Sequence, residues 1–294
     1  MTGLGSRLKL AAMQRLVIIN ADDFGLCEGV NRAVEEAHKN GILTSATIMA
    51  NMPFAKEAVE LAKRMPSLGV GVHLNLVEGG LISSGQENLL ADKDGRFAYK
   101  PSMLAVKSLF SKPVRDAIKK ELAWQIQWVI DRGIRPTHLD SHKHVHAFWS
   151  IFPIVCELAQ DFGIKAIRWT FEPAKVGRVG WPRPGWAGKK RAMIVRGMAL
   201  INKRQNPEFF LNNALLGIAH TGKIDQNFFR AVTLSNVGPV AEVMTHPGYP
   251  DGLEPSKTRL IQQRRMELET LCSERTKQYF QKADIGLVHY GQIN

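Results

Sequence analysis

Apolar positions along the chain change period repeatedly. Short runs of β-branched and aliphatic residues alternate with longer stretches whose apolar side chains recur every third or fourth position. That is the pattern of βα units laid around a parallel sheet. Strands are expected at 16–20, 45–50, 70–76, 137–146, 166–170, 240–245 and 285–289, and helices at 29–40, 54–64, 114–132, 151–162 and 255–279. The helix over 114–132 carries the strongest signal: Val114, Ala117, Ile118, Leu122, Ile126 and Val129 fall near helical spacing, and Gly133 stops it. Between the third strand and this helix, 77–112 is rich in Gly, Ser, Asp and Lys and is expected to be a long excursion over one face. About seven strands, each followed by a helix or a long loop, predict an α/β fold, an irregular (β/α) barrel in preference to an open doubly wound sheet. Residues 13–294 are expected to form one domain with a basic insertion at about 173–215, and 1–12 a flexible N-terminal extension.

Composition narrows the class. With 294 residues, 45% of them hydrophobic and 22% charged, the chain has enough apolar material for a substantial core, so extensive disorder and low-complexity architectures are excluded. The three cysteines, Cys27, Cys156 and Cys272, are far apart and form no C-x-x-C pair, so neither a disulfide framework nor a cysteine zinc knuckle is indicated. No run approaches the roughly 18 consecutive apolar residues of a membrane-spanning helix, and the N-terminus lacks a secretory apolar core. A cytoplasmic location is the expectation.

The net charge of +12 is unevenly spread. Between Lys175 and Arg204 there is no acid, and nine cations (Lys175, Arg178, Arg183, Lys189, Lys190, Arg191, Arg196, Lys203 and Arg204) are interleaved with Trp181, Trp186 and several aliphatic residues. One interpretation is peripheral association with anionic lipid, which uses Lys and Arg beside Trp in this mixture. The other is a solvated loop followed by a helix packed on its own domain. Nucleic acid is not an expected partner, because no helix-turn-helix, zinc-finger or RNP pattern accompanies the charge.

Four motifs share one placement, the C-terminal end of an expected strand, where parallel barrels and sheets build their sites. They are N-A-D-D-F-G with Asp22 and Asp23, G-V-H-L-N-L with His73, H-L-D-S-H-K-H-V-H over 138–146, and V-M-T-H-P-G with His246. Adjacent aspartates where a strand ends allow one carboxylate to hold a metal and the other to take a proton from water; helix capping is the competing explanation. The D-F-G letters lack every other kinase element and carry no weight. If 137–146 is a strand, period two places His142, His144 and His146 on one face. His142 would then bind an ion, His144 would contact a neighbouring ligand or the substrate, and Asp140 would orient an imidazole. His246, before Pro247 and Gly248, is placed to deliver a proton from a rigid turn. His38 and His289 lack such company and are expected to be structural.

These motifs, in this order and spacing, resemble the YdjC-like carbohydrate deacetylases across most of the chain from Arg15. H-T-G-K-I-D from His220, with the basic insertion before it, is most similar to the branch associated with hopanoid biosynthesis. The resemblance implies a distorted (β/α) barrel that removes an N-acetyl group from an amino sugar with one divalent metal ion. Zinc is favoured by ligand type, with magnesium, nickel or cobalt as alternatives. By motif, Asp23, His73 and His142 would hold the metal, Asp22 would be the general base and His246 the general acid. His144, Arg168 and His220 are expected at the substrate. That substrate would be an N-acetylglucosaminyl group on a hopanoid lipid, reached at the inner face of the membrane. Other possibilities are a chitooligosaccharide deacetylase, a metal-dependent hydrolase of another bond, and a metal-dependent lectin, which would have no use for Asp22 or His246.

Overall fold

In the computed structural model, which describes residues 15–83, 89–173, 181–203, 209, 212–254 and 258–293, strand β1 (Leu16–Phe24) is the axis of a wholly parallel sheet. Strands β2 (Ser45–Ile48), β3 (Gly69–Leu74) and β4 (Leu139–Ser141) follow on one side, and β6 (Val240–Thr245) and β5 (Ala214–Leu216) on the other, in the order β4-β3-β2-β1-β6-β5. Strand β7 (Gly286–Val288) pairs with β1 over Leu16–Ile18, whereas β2 pairs with β1 only from Asn20 onward, so β7 and β2 share one edge in succession. Thr44 joins them: its hydroxyl donates to the Val288 carbonyl at 2.6 Å and accepts from the Ile19 amide at 3.0 Å.

The helices dock apolar stripes on the outside of this sheet. In α1 (Glu28–Asn40) the buried residues Val30, Ala33, Val34 and Ala37 recur at helical spacing. Around the chain follow α2 (Ala55–Arg64), α3 (Pro101–Phe110), α4 (Lys112–Ile130), α5 (Phe152–Asp161), α6 (Trp186–Asn202), α7 (Gln226–Leu234), α8 (Gln262–Cys272) and α9 (Glu274–Lys282). No helix among the described residues is long and apolar enough to cross a membrane. The irregular (β/α) barrel with seven parallel strands is thus the fold.

Several expected elements differ in detail. The strand at 137–146 stops at Ser141, and His142–Ala147 forms a 3-10 turn in which Lys143 and His144 are left-handed (φ 52° and 56°), so the period-two placement of three histidines does not hold. The strand at 166–170 is reduced to a single bridge, Leu139 with Ile167. On its other flank the side chain of Asn212 substitutes for a neighbouring ladder, accepting from the Trp169 amide at 2.6 Å and donating to the Trp169 carbonyl at 3.0 Å. The Leu215 amide also reaches the Phe171 carbonyl at 2.8 Å, so this irregular stretch joins β4 to β5 and closes the barrel. The helix at 255–279 is two helices, because Ser273 takes an extended backbone (φ −64°, ψ 129°) between α8 and α9; 255–257 lie outside the described residues. The excursion at 77–112 contains helix α3. The extension 1–12, and Lys175, Arg178 and Arg204 of the basic segment, also lie outside the described residues, while most of the remaining basic segment is helix α6.

The barrel interior is layered. Ile18, Ala166, Val240, Val288 and Tyr290 form a small apolar cluster of their own. Polar residues are fully buried as well: Asn20 of β1, Thr47 of β2, Asp140 of β4 and Glu242 of β6, with His138 and Arg168. Gly71 is required here, since a Cβ would sit 2.6 Å from the His138 ring. At the strand ends above this polar layer stand the candidate site residues.

Candidate functional site

Adjacent residues of a regular strand point to opposite faces, yet Asp22 and Asp23 both belong to one buried cluster. The end of β1 explains this. Its register with β2 shifts between Ala21 and Phe24, and Asp23 adopts a left-handed conformation (φ 68°) that Asp tolerates better than most residues. Asn31 holds the turn from α1, accepting from the Gly25 amide at 2.8 Å and donating to the Phe54 carbonyl at 3.1 Å. Gly25 itself (φ 98°) lies where a Cβ would meet the Ala55 Cα at 2.9 Å.

His73 and Asp140 are direct neighbours in the β3–β4 register, and the carboxylate lies 2.8 Å from the ring Nδ1. Thr47 of β2 donates to Asp140 at 3.1 Å. The ring is thereby fixed with Nε2 facing Asp23, 3.5 Å from Oδ1. His142 reaches the same oxygen from the 3-10 turn, Nδ1 to Oδ1 at 3.0 Å, and its ring stands edge-on to His73 with centroids 5.7 Å apart. One carboxylate oxygen and two imidazole nitrogens therefore converge, each within 4.8 Å of the others. A second group, Asp22, His73 and Asp140, is as close, but a cation already sits between its carboxylates: Arg168 lies within 2.8 Å of both. In the Asp23 group the guanidinium of Arg264 pairs with Oδ2, while Oδ1 faces both imidazoles, and one oxygen with two imidazole nitrogens is a donor set that suits a divalent metal.

Arg168 is fully buried and spends its guanidinium on carboxylates. It donates to both oxygens of Asp22 (2.7 and 2.8 Å) and twice to Glu242 Oε1 (2.6 and 2.8 Å). Burial alone would push the Asp22 carboxyl up, but Arg168 and His73 outweigh it and hold it below its usual value. Arg168, expected at the substrate, is fully buried in this structure and stands as the counter-ion of Asp22.

Charge is similarly balanced at Asp23. Its second oxygen accepts from Arg264 of α8 at 2.5 Å, and against the effect of burial Arg264 and His142 bring the carboxyl well below the usual range. Burial disfavours a charged His142, yet Asp23 and Glu78 override it and raise the ring to about 9. His73 is raised in the same way by Asp140 and Asp22. His246, at the end of β6, is different: burial lowers it to about 4, against the pull of Asp22 and Asp23, and its Nδ1 is buried with no partner. Its amide donates to Glu267 Oε2 at 2.7 Å, which fixes the turn.

The remaining histidines separate. His138 is inside the barrel, stacked on Tyr290 at 4.1 Å. His146 is tied to Ser141 Oγ at 2.5 Å and lies 3.0 Å from the Arg168 carbonyl. His144 is buried with an unpartnered Nδ1. His220 lies beside Trp181, ring centroids 5.6 Å apart, with Nε2 2.9 Å from the Pro182 carbonyl.

Three contributors were not singled out from sequence. Glu78 lies 3.0 Å from His142 Nε2. Its loop is held by Asn75, whose side chain accepts from the Val77 and Glu78 amides, and by Glu121 and Gln125 on the buried face of α4. The only local signal was an acid shortly after the G-V-H-L-N-L motif. Arg264 and Glu242 reach the site from distant segments, without any motif of their own.

The YdjC-like protein family matches residues 16–282. A carbohydrate deacetylase of Brevibacillus brevis is 34% identical over 278 residues, covering 94% of this chain and 99% of that protein. A chitooligosaccharide deacetylase of Salmonella typhimurium is 42% identical over 153 residues, 52% of this chain and 58% of that protein. A solved Enterococcus faecalis protein, provisionally ascribed to cellobiose-phosphate cleavage, superposes with a TM-score of 0.73 at 25% identity, covering 95% of this chain and 99% of that one. With the fold shared over its length and the family pattern running through nearly every element, the chain belongs to the YdjC-like family.

Proposed function

We propose that the protein is a metal-dependent hydrolase that removes an N-acetyl group from an amino sugar. The observation that carries this is the convergence of Asp23, His73 and His142 beside a second carboxylate, Asp22, that is kept ionised by a buried arginine. The deacetylase relatives support the reaction and the sugar class.

Asp23, His73 and His142 would hold the ion, with zinc favoured by the donor set. A divalent metal there supplies Lewis-acid polarisation of the acetyl carbonyl and lowers the pKa of water. Asp22, ionised at neutral pH, accepts the proton of the attacking water. Arg168 keeps that carboxylate charged and fixes both of its oxygens. As the carbon–nitrogen bond breaks, His246 hands a proton to the departing amine. A ring near 4 is neutral at pH 7; it takes up the proton that Asp22 has drawn from the water and passes it to the nitrogen, so that Asp22 and His246 both end as they began. The products are acetate and the free amino sugar. His144 and His220 remain the candidates for substrate contact.

The finer assignment is an N-acetylglucosaminyl group carried on a hopanoid lipid, met at the inner face of the membrane. The H-T-G-K-I-D motif and the basic, Trp-containing segment support it. The Salmonella relative favours a second substrate, chitooligosaccharides. Incubating metal-loaded protein with N-acetylglucosaminyl hopanoid and with diacetylchitobiose, then reading the mass loss of one acetyl group, tests both. Acetate released from neither would overturn the proposal.

A further inference from the structure

Helix α6 carries its apolar residues on the wrong side for a soluble barrel. Val195, Ala199 and Asn202 are buried against the domain, while Trp186, Met193, Ile194, Leu200 and Ile201 face outward, Trp186 with 77% of its surface exposed. At 100° per residue these five fall within one third of the helix circumference, opposite the buried stripe. Helix α3 repeats the arrangement: Leu104 and Ser108 are buried, and Met103, Val106, Leu109 and Phe110 are exposed, Phe110 at 81%.

Both helices are fastened to the same short stretch after His142. Asn202 of α6 donates to the Ala147 carbonyl at 2.8 Å, and Ser108 of α3 pairs with Ser150 Oγ at 2.7 Å. Trp149, half exposed, lies between those two anchor points. The outward apolar faces thus flank the segment that supplies His142. Their surroundings are cationic. Residues 95–115 contain five Lys and Arg; Lys112 pairs with Asp116 at 2.7 Å, and among the described residues no acid pairs with Arg96, Lys100, Lys107 or Arg115. On α6, Lys189 and Lys190 are exposed, and no acid pairs with a cation of this helix among the described residues.

We infer that α3, α6 and Trp149 form a two-helix docking face for an anionic phospholipid bilayer, which turns the mouth of the site toward the membrane surface. The apolar side chains enter the boundary between headgroups and acyl chains, and the flanking cations meet lipid phosphates. A second copy of the chain is disfavoured as the occupant because it would bring together two faces that each carry an excess of cations. The inference rests on the lipid-linked part of the proposed function. It gains in specificity because α3, far from the basic segment in sequence, is part of the face.

The test is flotation of the full chain with vesicles of phosphatidylcholine alone and of equimolar phosphatidylcholine and phosphatidylglycerol. Binding to the anionic vesicles is expected to exceed binding to the neutral ones at least tenfold and to fall with salt. Phe110→Asp on α3 and Met193→Asp on α6, both at exposed positions, should each weaken it about tenfold or more, and Lys190→Gln about fivefold, from roughly 1 kcal/mol per cation at such a surface. Thermal unfolding of the variants checks that they fold. Equal binding to both vesicle types, no binding, or wild-type binding by the α3 variant would each overturn the inference, as would a dimer in solution that the same substitutions dissociate. Deacetylation of soluble diacetylchitobiose is read separately, so failure of docking and failure of the catalytic assignment are distinguishable.

Discussion

Replacing Arg168 by Met probes the layer on which the site stands. The substitution keeps much of the length and apolar contact of the stem but removes the guanidinium that lies within 2.8 Å of Asp22, Asp140 and Glu242, all buried. Breaking a buried ion pair from one side costs about 3–5 kcal/mol, because the partner is left charged without compensation. For a chain of this size each kcal/mol lowers the melting temperature by about 2–4 °C, so a fall of roughly 10 °C is expected at pH 7. The pH dependence gives a sharper signature. In the wild type the Asp22 carboxyl lies below its usual 3.8. Its contribution to stability is therefore present above that value and is lost as pH falls through the lower folded value. Without Arg168 the largest remaining influence on Asp22 is burial, which raises it. The variant should lose this gain, and the acid limb of its rate profile should move to higher pH. Thermal melts from pH 3 to 8 and acetate release across the same range measure both. Arg168→Lys should be intermediate, restoring charge but not the two-pronged contact. Wild-type melting and an unmoved acid limb in Arg168→Met would refute the argument.

Three further outcomes follow from the site. Asp22→Asn should retain metal and lose deacetylation by at least a hundredfold, the lower range of a general base's contribution, whereas His142→Ala should lose both; inductively coupled plasma analysis and acetate assays separate these cases. Because His142 sits at about 9 and must give up a proton to ligate, metal affinity should rise with pH below that value, by up to tenfold per unit for each proton displaced. Calorimetry at pH 7 in buffers of different ionisation enthalpy counts those protons, and a count of zero would contradict the assignment. Lys143→Gly should stabilise by about 0.5–1 kcal/mol, since relief of a left-handed residue exceeds the entropy cost of Gly. Denaturant unfolding reads this directly.

The alternation of periods made the barrel legible, since each strand buried on both faces reads as an apolar run and each helix shows its stripe. Strands β1, β2, β3, β6 and β7 stand close to their expected positions. What sequence could not show was backbone reversal. Nothing in H-K-H-V-H signals two consecutive left-handed residues, and those residues decide that His142 alone of four histidines meets Asp23. Helix α7 was missed although Asp225 caps it, accepting from the Phe228 amide at 2.9 Å. Short β5 offers only three apolar residues, too few for a period. The cations beneath the carboxylates were invisible for another reason. Arg264 and Arg168 are brought to Asp23 and Asp22 by closure of the barrel over separations of 241 and 146 residues, which no local pattern encodes.

Anomalous diffraction from crystals grown with zinc tests the central claim most directly. One strong peak is expected, bonded at about 2 Å to a carboxylate oxygen of Asp23, to Nε2 of His73 and to a ring nitrogen of His142, with Asp22 still held by Arg168. A peak bonded instead to Asp22 and Asp140, or no peak within reach of Asp23, would contradict it.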